Sequence, residues 1–145
     1  MNPFLPSFPG DEEGRWQVLS STYLFQRPWL TVRHQSMLLP TGQEHPEYYI
    51  LEYPTWVNII ALTPDNRMIL VRQYRPALDI TRYELCAGVM DSSDSSPLEA
   101  AQRELLEETG FGGGEWTQLM VVGPNPNAMN NVGITFLAKG VSKIS

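Results

Sequence analysis

The run from Arg103 to Phe111 concentrates acidic side chains at helical spacing. On a helix of about 3.6 residues per turn, Glu104, Glu107 and Glu108 fall within one narrow arc. Three carboxylates on one face repel each other unless a cation lies among them, and such oxygen ligands suit Mg2+ or Mn2+. Arg103, one turn before Glu107, can pair with that carboxylate. The alternative interpretation is an ordinary acidic helix face that points to solvent.

The residues on either side of this run predict where the helix begins and ends. Ser96 is suited to the N-cap, Pro97 to the first helical position, and Glu99 follows at the spacing of a capping box. Gly110 is a C-terminal stop. The helix is therefore predicted over residues 97–109. Its other flank carries an apolar stripe that is predicted to pack on the core, namely Leu98, Ala101, Leu105 and Thr109.

The stretch from Gly88 to Phe111 resembles the Nudix box: Gly, five residues, Glu, seven residues, then Arg-Glu-aliphatic-x-Glu-Glu-x-Gly-aliphatic. Upstream, residues 73–75 (Gln-Tyr-Arg) and 84–88 (Glu-Leu-Cys-Ala-Gly) resemble segments of the ADP-ribose pyrophosphatase branch. The resemblance extends over roughly residues 16–141. It implies an α/β (α+β) Nudix fold, in which a mixed β-sheet sandwich carries the box helix and an N-terminal antiparallel β-sheet precedes it.

The same resemblance implies an activity and its site residues. The activity is Mg2+-dependent (or Mn2+-dependent) hydrolysis of the pyrophosphate bond of ADP-ribose or a similar nucleoside diphosphate sugar. The products are AMP, or another NMP, and a sugar phosphate. The implied metal ligands are Ala87, Glu104 and Glu108. The implied catalytic or bracing groups are Glu84, Arg103 and Glu107. Arg75 is the implied contact to a substrate phosphate. For Arg75 the alternative is a surface ion pair of little energetic weight.

Aromatic residues supply candidates for recognition of the base. Trp29 and Arg33, on the second predicted strand, could stack on adenine and contact phosphate or ribose across a dimer. Trp29 could equally be a core or interface residue. The other three tryptophans lie in strand patterns and are predicted to be in the core: Trp16, Trp56 and Trp116.

Two departures from the Nudix pattern affect the expected activity. The loop of residues 91–95 has one extra residue and lacks the first Glu of the box, for which Asp94 is the nearest substitute. The last acidic side chain of the sequence is Glu115, whereas the branch tends to use a late Glu as general base. Glu107 or Glu84 would then have to take the proton. The alternative is a catalytically weak Nudix-fold nucleotide-binding module.

Composition limits the class of protein. At 145 residues with a net charge of -6, the chain is expected to be one domain that does not bind nucleic acid. The single cysteine, Cys86, excludes an intrachain disulfide and is expected to be a buried structural thiol in a reducing, cytoplasmic environment. No apolar run approaches the roughly 20 residues of a membrane span, and the start lacks the pattern of a signal peptide.

The chain is predicted to have three parts: a flexible arm over 1–14, an antiparallel dimerisation sheet over 15–54 and a C-terminally short Nudix domain over 55–145. A three-stranded sheet is marginal without a second layer, so a homodimer is expected. The alternative is that the sheet folds onto its own chain. The predicted strands are 16–25, 29–39, 46–53, 55–63, 67–74, 83–87, 115–122 and 132–139.

Overall fold

A computed structural model describes residues 2–145, in which twelve strands and one helix are found. These elements form two compact units. The first comprises the chain up to Pro54 together with Gly123–Val132, and the second comprises Thr55–Val122 with Gly133–Ser145. The segment Gly123–Val132 thus groups with the N-terminal strands, although it is distant from them in sequence. Within residues 2–145, no helix is long and apolar enough to cross a membrane.

The first unit is an antiparallel sheet of three strands in the order β1 (Gln17–Arg27), β2 (Leu30–Leu38) and β3 (Glu44–Glu52). These strands agree with the predicted ones to within two residues. The segment Gly123–Val132 attaches to the end of β3, where the Leu51 N–H donates to the Ala128 carbonyl at 2.7 Å. Every residue of the edge strand β1 is exposed.

The second unit is built on a mixed sheet of five strands. Its order is β10 (Glu115–Val122), β11 (Gly133–Lys139), β4 (Trp56–Leu62) and β5 (Met68–Ile69), and β8 (Cys86–Val89) also pairs with β4. The β11–β4 pair is parallel, whereas the other pairs of this sheet are antiparallel. The elements of this unit are β4 (Trp56–Leu62), β5 (Met68–Ile69), β6 (Val71–Arg75), β7 (Ile80–Glu84), β8 (Cys86–Val89), α1 (Pro97–Thr109), β9 (Phe111–Gly112), β10 (Glu115–Val122), β11 (Gly133–Lys139) and β12 (Ser142–Lys143).

Two predicted strands were wrong in extent because the chain changes partner within each of them. Residues 67–74 divide at Leu70 into β5, which pairs with β4, and β6, which pairs with β7. Residues 83–87 divide at Leu85, where the chain leaves the β6–β7 hairpin and joins β4 as β8. Strand periodicity continues through both points, so the residue pattern does not reveal a change of partner.

The core of the second unit lies between β4 and one face of α1. Val57 and Ile59 of β4 are fully buried, as are Ala101 and Leu105 of the helix. Leu98, which was predicted to join this stripe, is 37% exposed, and Ala100 is buried instead. Angular position alone favours burial of Leu98, but burial also requires a neighbour at the same height along the helix axis, and Leu98 lies in the first turn.

Both predicted ends of α1 are confirmed. The Ser96 hydroxyl accepts the Glu99 N–H at 3.2 Å, and Gly110, at φ 72°, donates its N–H to the Leu106 carbonyl at 2.8 Å. The Glu99 carboxylate reaches back to the N–H of Ser95 at 2.7 Å, one residue earlier than a capping box requires.

Replacing Ser96 by Ala is expected to lower the stability of the folded protein. The substitution leaves the Glu99 N–H without its acceptor, which costs about 1 kcal/mol. For a chain of this size we expect Tm to fall by roughly 2–5 °C in a thermal melt. The control is Ser93→Ala, since Ser93 is exposed in the preceding loop. Equal melting of the two variants would contradict the capping role.

Candidate active site

Helix α1 places two carboxylates against strand β8. The Glu104 carboxylate fills the space that a side chain at residue 88 would occupy, because a Cβ built on Gly88 would lie 2.0 Å from its carboxyl carbon. Glu108, one turn later, accepts the Ala87 N–H at 3.4 Å. The structure therefore brings together the three residues predicted as metal ligands, and a side chain at position 88 would displace the Glu104 carboxylate.

Arg103 makes several ion pairs beside this strand. Its Nε and Nη2 donate to the two carboxylate oxygens of Asp94 at 3.1 and 2.8 Å, and Nη2 also donates to the Val89 carbonyl at 3.0 Å. The Asp94 side chain is only 4% exposed. Hydrogen bonding to Arg103 holds the pKa of Asp94 below its usual range, and Asp94 in turn raises the pKa of Arg103. Asp94 thus braces the helix at the place where the Nudix box has a glutamate.

The third carboxylate of the predicted arc, that of Glu107, is largely exposed and shares Arg103 with Glu104. Arg103 Nη1 donates to Glu104 at 2.9 Å and to Glu107 at 3.2 Å, and the Glu107 side chain is 61% exposed. Residues 2–145 contain no group of three or more His, Cys, Asp or Glu side chains arranged to hold a metal ion. Helical spacing predicts three carboxylates around one cation, whereas the structure places Glu104 and Glu108 against β8 and leaves Glu107 largely exposed.

Arg75 and Glu84 form a two-point ion pair between the two strands of the β6–β7 hairpin. Arg75 donates from Nη2 and Nε to Glu84 Oε2 at 2.6 and 2.9 Å. The hydrogen bonds from Arg75 lower the pKa of the Glu84 carboxyl. Both side chains line a cavity of about 670 Å³. The arginine predicted to contact phosphate is thus an exposed ion-pair partner that also lines this cavity.

The same cavity has a wall that the sequence analysis missed. Trp56 and Asn58, both on β4, line it together with Ala87, Gly88 and Val89 of β8. The prediction that Trp56 is a core residue was wrong, because its side of β4 is only half-buried. A signal for this wall was present in the sequence: Asn58 is an amide within an otherwise apolar strand.

Cys86 lies directly before the two strand residues that adjoin the carboxylates. It is fully buried, as predicted for a structural thiol. Burial raises the pKa of the thiol, and the neighbouring Glu108 raises it further. Cys86 therefore stays protonated at neutral pH and cannot serve as a nucleophile.

The two predicted base-recognition residues belong to the first unit. Trp29 lies in the turn between β1 and β2 and is 72% exposed. Arg33 Nε lies 2.9 Å from Glu52 Oε1, but in a direction that does not make a hydrogen bond. Substrate binding by these two residues stays a prediction.

Comparison with known proteins identifies the family. A family model described as the NUDIX domain matches residues 52–141, and one described as the nucleoside diphosphate sugar hydrolase N-terminal domain matches residues 16–51. The chain belongs to the Nudix hydrolase family. The resemblance noted in the sequence is thereby confirmed, and with it the predicted α+β Nudix fold.

Relatives of this Nudix hydrolase place it in the ADP-ribose pyrophosphatase-like branch. It is 33% identical to a methanol dehydrogenase activator of Bacillus methanolicus, over 88% of this chain and 68% of the relative. It is 26% identical to an ADP-ribose pyrophosphatase of Bacillus subtilis (strain 168), over 87% of this chain and 67% of the relative. It is also 26% identical to an ADP-ribose pyrophosphatase of Mycobacterium tuberculosis (strain ATCC 25618 / H37Rv), over 91% of this chain and 63% of the relative. The chain thus spans about two thirds of the length of these relatives, and less than two thirds of the last.

A solved structure of an ADP compounds hydrolase has the same fold. The two superpose with a TM-score of 0.80, covering 90% of this chain and 70% of the other at 24% sequence identity. A likeness at this level of identity shows the fold alone.

Nudix hydrolases generally use divalent cations, and the residues of this chain fit such an ion. Glu104 and Glu108 supply carboxylate oxygens one helical turn apart, beside Gly88 and the Ala87 N–H of β8. Hard oxygen donors of this kind suit Mg2+ or Mn2+. The Glu104 side chain is 14% exposed and makes its ion pair with Arg103 alone, so the two carboxylates keep a net negative charge for a cation to neutralise.

Proposed function

We propose that this chain catalyses Mg2+-dependent hydrolysis of the pyrophosphate bond of ADP-ribose or a similar nucleoside diphosphate sugar. The products are AMP, or another NMP, and a sugar phosphate. One observation carries the proposal: Ala87 and Gly88 adjoin the Glu104–Glu108 carboxylates and also line the cavity that holds Arg75. Strand β8 thus adjoins groups suited to a cation and also lines the cavity that contains a group suited to phosphate.

The residues of the chain divide the work at this strand. Glu104, Glu108 and the Ala87 carbonyl would hold the metal ion, which neutralises phosphate charge and lowers the pKa of bound water. Arg75 binds a substrate phosphate by exchanging Glu84 for the phosphate oxygens, because a guanidinium fits either oxyanion in the same two-point manner. Arg103, anchored by Asp94, keeps the acidic helix in register with β8.

Two carboxylates of this sequence are candidates for the general base. Glu84 lines the cavity, and Arg75, which lowers the pKa of its carboxyl in the free protein, releases it when Arg75 binds phosphate. Glu107 is joined to Arg103 and is largely open to solvent. Replacing the true base by glutamine is expected to lower kcat about 10²–10⁴-fold. Single-turnover assays of Glu84→Gln and Glu107→Gln measure this, and full activity in both variants would contradict the assignment.

A turnover screen tests the proposed function. ADP-ribose and other nucleoside diphosphate sugars are incubated with the protein, with and without Mg2+, and the released nucleoside monophosphate is measured by chromatography. We expect release that requires Mg2+ and is fastest with one class of nucleotide sugar. Absence of release from every compound, with retained binding, would overturn the proposal.

That last outcome would favour the second candidate, a Nudix-fold nucleotide-binding module of low catalytic activity. The observation in its favour is that residues 2–145 show no group of three acidic side chains arranged to hold a metal ion, while Glu107 is largely exposed and joined to Arg103. A site with two carboxylates in place of three would bind metal more weakly. Binding and hydrolysis have to be measured separately for this reason.

We further propose a homodimer formed by the N-terminal sheet, with residues 55–145 as the Nudix domain. The edge strand β1 is wholly exposed and carries Leu19, Tyr23 and Phe25, all more than 40% exposed. An unpaired edge with large apolar side chains is a surface that a second copy can cover.

The buried single thiol Cys86 fits a reducing compartment, and the cytoplasm is the proposed location.

Charged substitutions on β1 are expected to dissociate the proposed dimer. Leu19→Lys with Phe25→Lys places two charges where apolar contact is expected, so the variant should elute as a monomer in size-exclusion chromatography with light scattering. The control, Ser21→Lys with Gln26→Lys, adds the same charge to exposed polar positions of the same strand. A wild type that is monomeric at all concentrations would contradict the dimer.

A further inference from the structure

The β6–β7 hairpin has one face that carries the cavity residues Arg75 and Glu84. Its pairing runs from Val71–Glu84 to Arg75–Ile80 without a register shift, so side chains alternate between its two faces. The pair Gln73–Arg82 therefore lies on the same face as Arg75 and Glu84, between them. Arg82 is thus a second arginine on the cavity face of the hairpin, and the sequence analysis did not single it out.

Arg82 is a close neighbour of both members of the Arg75–Glu84 ion pair. Arg75 lies two residues beyond Gln73, the direct partner of Arg82, so the two arginines are diagonal neighbours across the hairpin. Diagonal neighbours are about 7–8 Å apart, which long side chains can span. Glu84 follows Arg82 by two residues on the same face of β7. Two guanidinium groups at this spacing can reach two phosphates that are joined to each other.

The two arginines differ in the partners that they already have. Arg75 donates to Glu84 Oε2 at 2.6 and 2.9 Å. Arg82 is exposed, and no carboxylate of residues 2–145 lies within ion-pair distance of it. A phosphate can therefore bind Arg82 without breaking an ion pair, whereas Arg75 has to release Glu84 first.

The outer face of the same hairpin carries a matched arginine. Arg72 is the direct partner of Tyr83, and its guanidinium carbon lies 6.0 Å from the centre of the Tyr83 ring. Like Arg82, it is exposed. The two residues contribute the same charge to the same hairpin, but strand alternation places them on opposite faces. A comparison of the two separates a contact on the cavity face from a general effect of charge.

We propose that Arg82 binds the second phosphate of a diphosphate substrate while Arg75 binds the first, an inference that rests on the proposed function. Each guanidinium group matches two oxygens of one phosphate. Arg82 supplies positive charge that no carboxylate neutralises, so it attracts the phosphates before Arg75 exchanges Glu84 for them. The hairpin then selects ligands in which two phosphates are joined.

The test measures equilibrium binding of ADP and of inorganic pyrophosphate by calorimetry, with EDTA present so that neither metal binding nor turnover contributes. Arg82→Gln is expected to weaken the binding of both ligands about 10-fold, because hydrogen bonds to charged groups contribute at least this much. Arg82→Lys keeps the charge but loses the planar pair of donors, so it should recover only part of the affinity.

The control is Arg72→Gln, which should bind both ligands as the wild type does. Three results would each overturn the inference: unchanged affinity in Arg82→Gln, equal losses in Arg82→Gln and Arg72→Gln, or a loss for ADP without one for pyrophosphate. The last result would mean that Arg82 contacts the nucleoside. If Arg82→Gln does not fold, Arg82→Lys is compared with Arg72→Lys for the same outcomes.

A second set of variants tests whether the two arginines hold different phosphates. It is built on Glu84→Gln, which leaves neither arginine a carboxylate partner on this face. In that background, the losses from Arg75→Gln and Arg82→Gln should multiply in the combined variant, as expected for independent contacts. A combined loss no larger than the greater single loss would overturn the assignment of separate phosphates. An effect of Arg82→Gln that disappears in this background would show that Arg82 acts only on Glu84.

The binding readout separates this inference from the proposed function. A protein that binds ADP and pyrophosphate through Arg82 but hydrolyses no nucleotide sugar would retain the phosphate contact and overturn the hydrolase proposal alone. A protein that hydrolyses ADP-ribose with the same KM in the wild type and in Arg82→Gln would overturn the phosphate contact alone.

Discussion

Replacing Glu104 and Glu108 by glutamine is expected to abolish ADP-ribose hydrolysis. The double variant removes both carboxylates that lie against β8, and with them the charge that would hold a cation beside the phosphates. Metal ions contribute several kcal/mol to such reactions, so kcat/KM should fall by about 10³-fold or more. Release of AMP at saturating Mg2+ or Mn2+ measures the loss.

The same variant provides a test that does not depend on catalysis. A cation that binds the folded protein at about 100 times its Kd stabilises it by roughly 2.7 kcal/mol, which raises Tm by about 5–10 °C in a chain of this size. This rise should disappear in the double variant. The charge-matched control is Glu13→Gln with Glu115→Gln, at two exposed positions. An undiminished rise in the Glu104–Glu108 variant would place the metal elsewhere.

Replacing Asp94 by asparagine is expected to have the second-largest effect. Asparagine keeps the shape of the side chain but loses the charge that holds Arg103 by two hydrogen bonds, and Arg103 in turn holds Glu104 and the Val89 carbonyl. Loss of a group that orients a metal ligand typically lowers activity or metal affinity about 10–100-fold.

Two further variants separate this bracing role from general loss of charge. Asp91→Asn is the matched control, because Asp91 is exposed in the same loop and lies 3.9 Å from Arg103. Asp94→Glu, which restores the charge on a longer stem, should recover part of the activity. Similar activity in Asp94→Asn and Asp91→Asn would show that the altered loop does not brace the helix.

The Asp94–Arg103 pair also predicts a pH dependence of stability. Arg103 lowers the pKa of Asp94 in the folded protein below its unfolded value of about 3.9. The stabilisation is therefore complete above the unfolded pKa and is lost as pH falls through the folded one. The Tm difference between wild type and Asp94→Asn should be constant from neutral pH to about pH 5 and shrink below about pH 4. A difference that grows on acidification would contradict the pairing.

The sequence by itself determined the acidic helix and the family of the protein, because both depend on residues that are close together in the chain. The cap at Ser96 and the stop at Gly110 depend on residues within one turn of the helix ends, so both were predictable from neighbours in the chain. The positions of Glu104 and Glu108 on one face follow from helical periodicity alone. Most strands were likewise predictable, because their pattern repeats every second residue.

Only the tertiary structure decided which of these groups meet. Helical spacing treats the three glutamates alike, but the approach of β8 places Glu104 against Gly88 and Glu108 at the Ala87 N–H, and the loop that carries Asp94 gives Arg103 its position. Strand periodicity cannot show that the chain changes partner at Leu85. These outcomes depend on contacts between residues far apart in sequence, and no local pattern of side chains specifies such contacts.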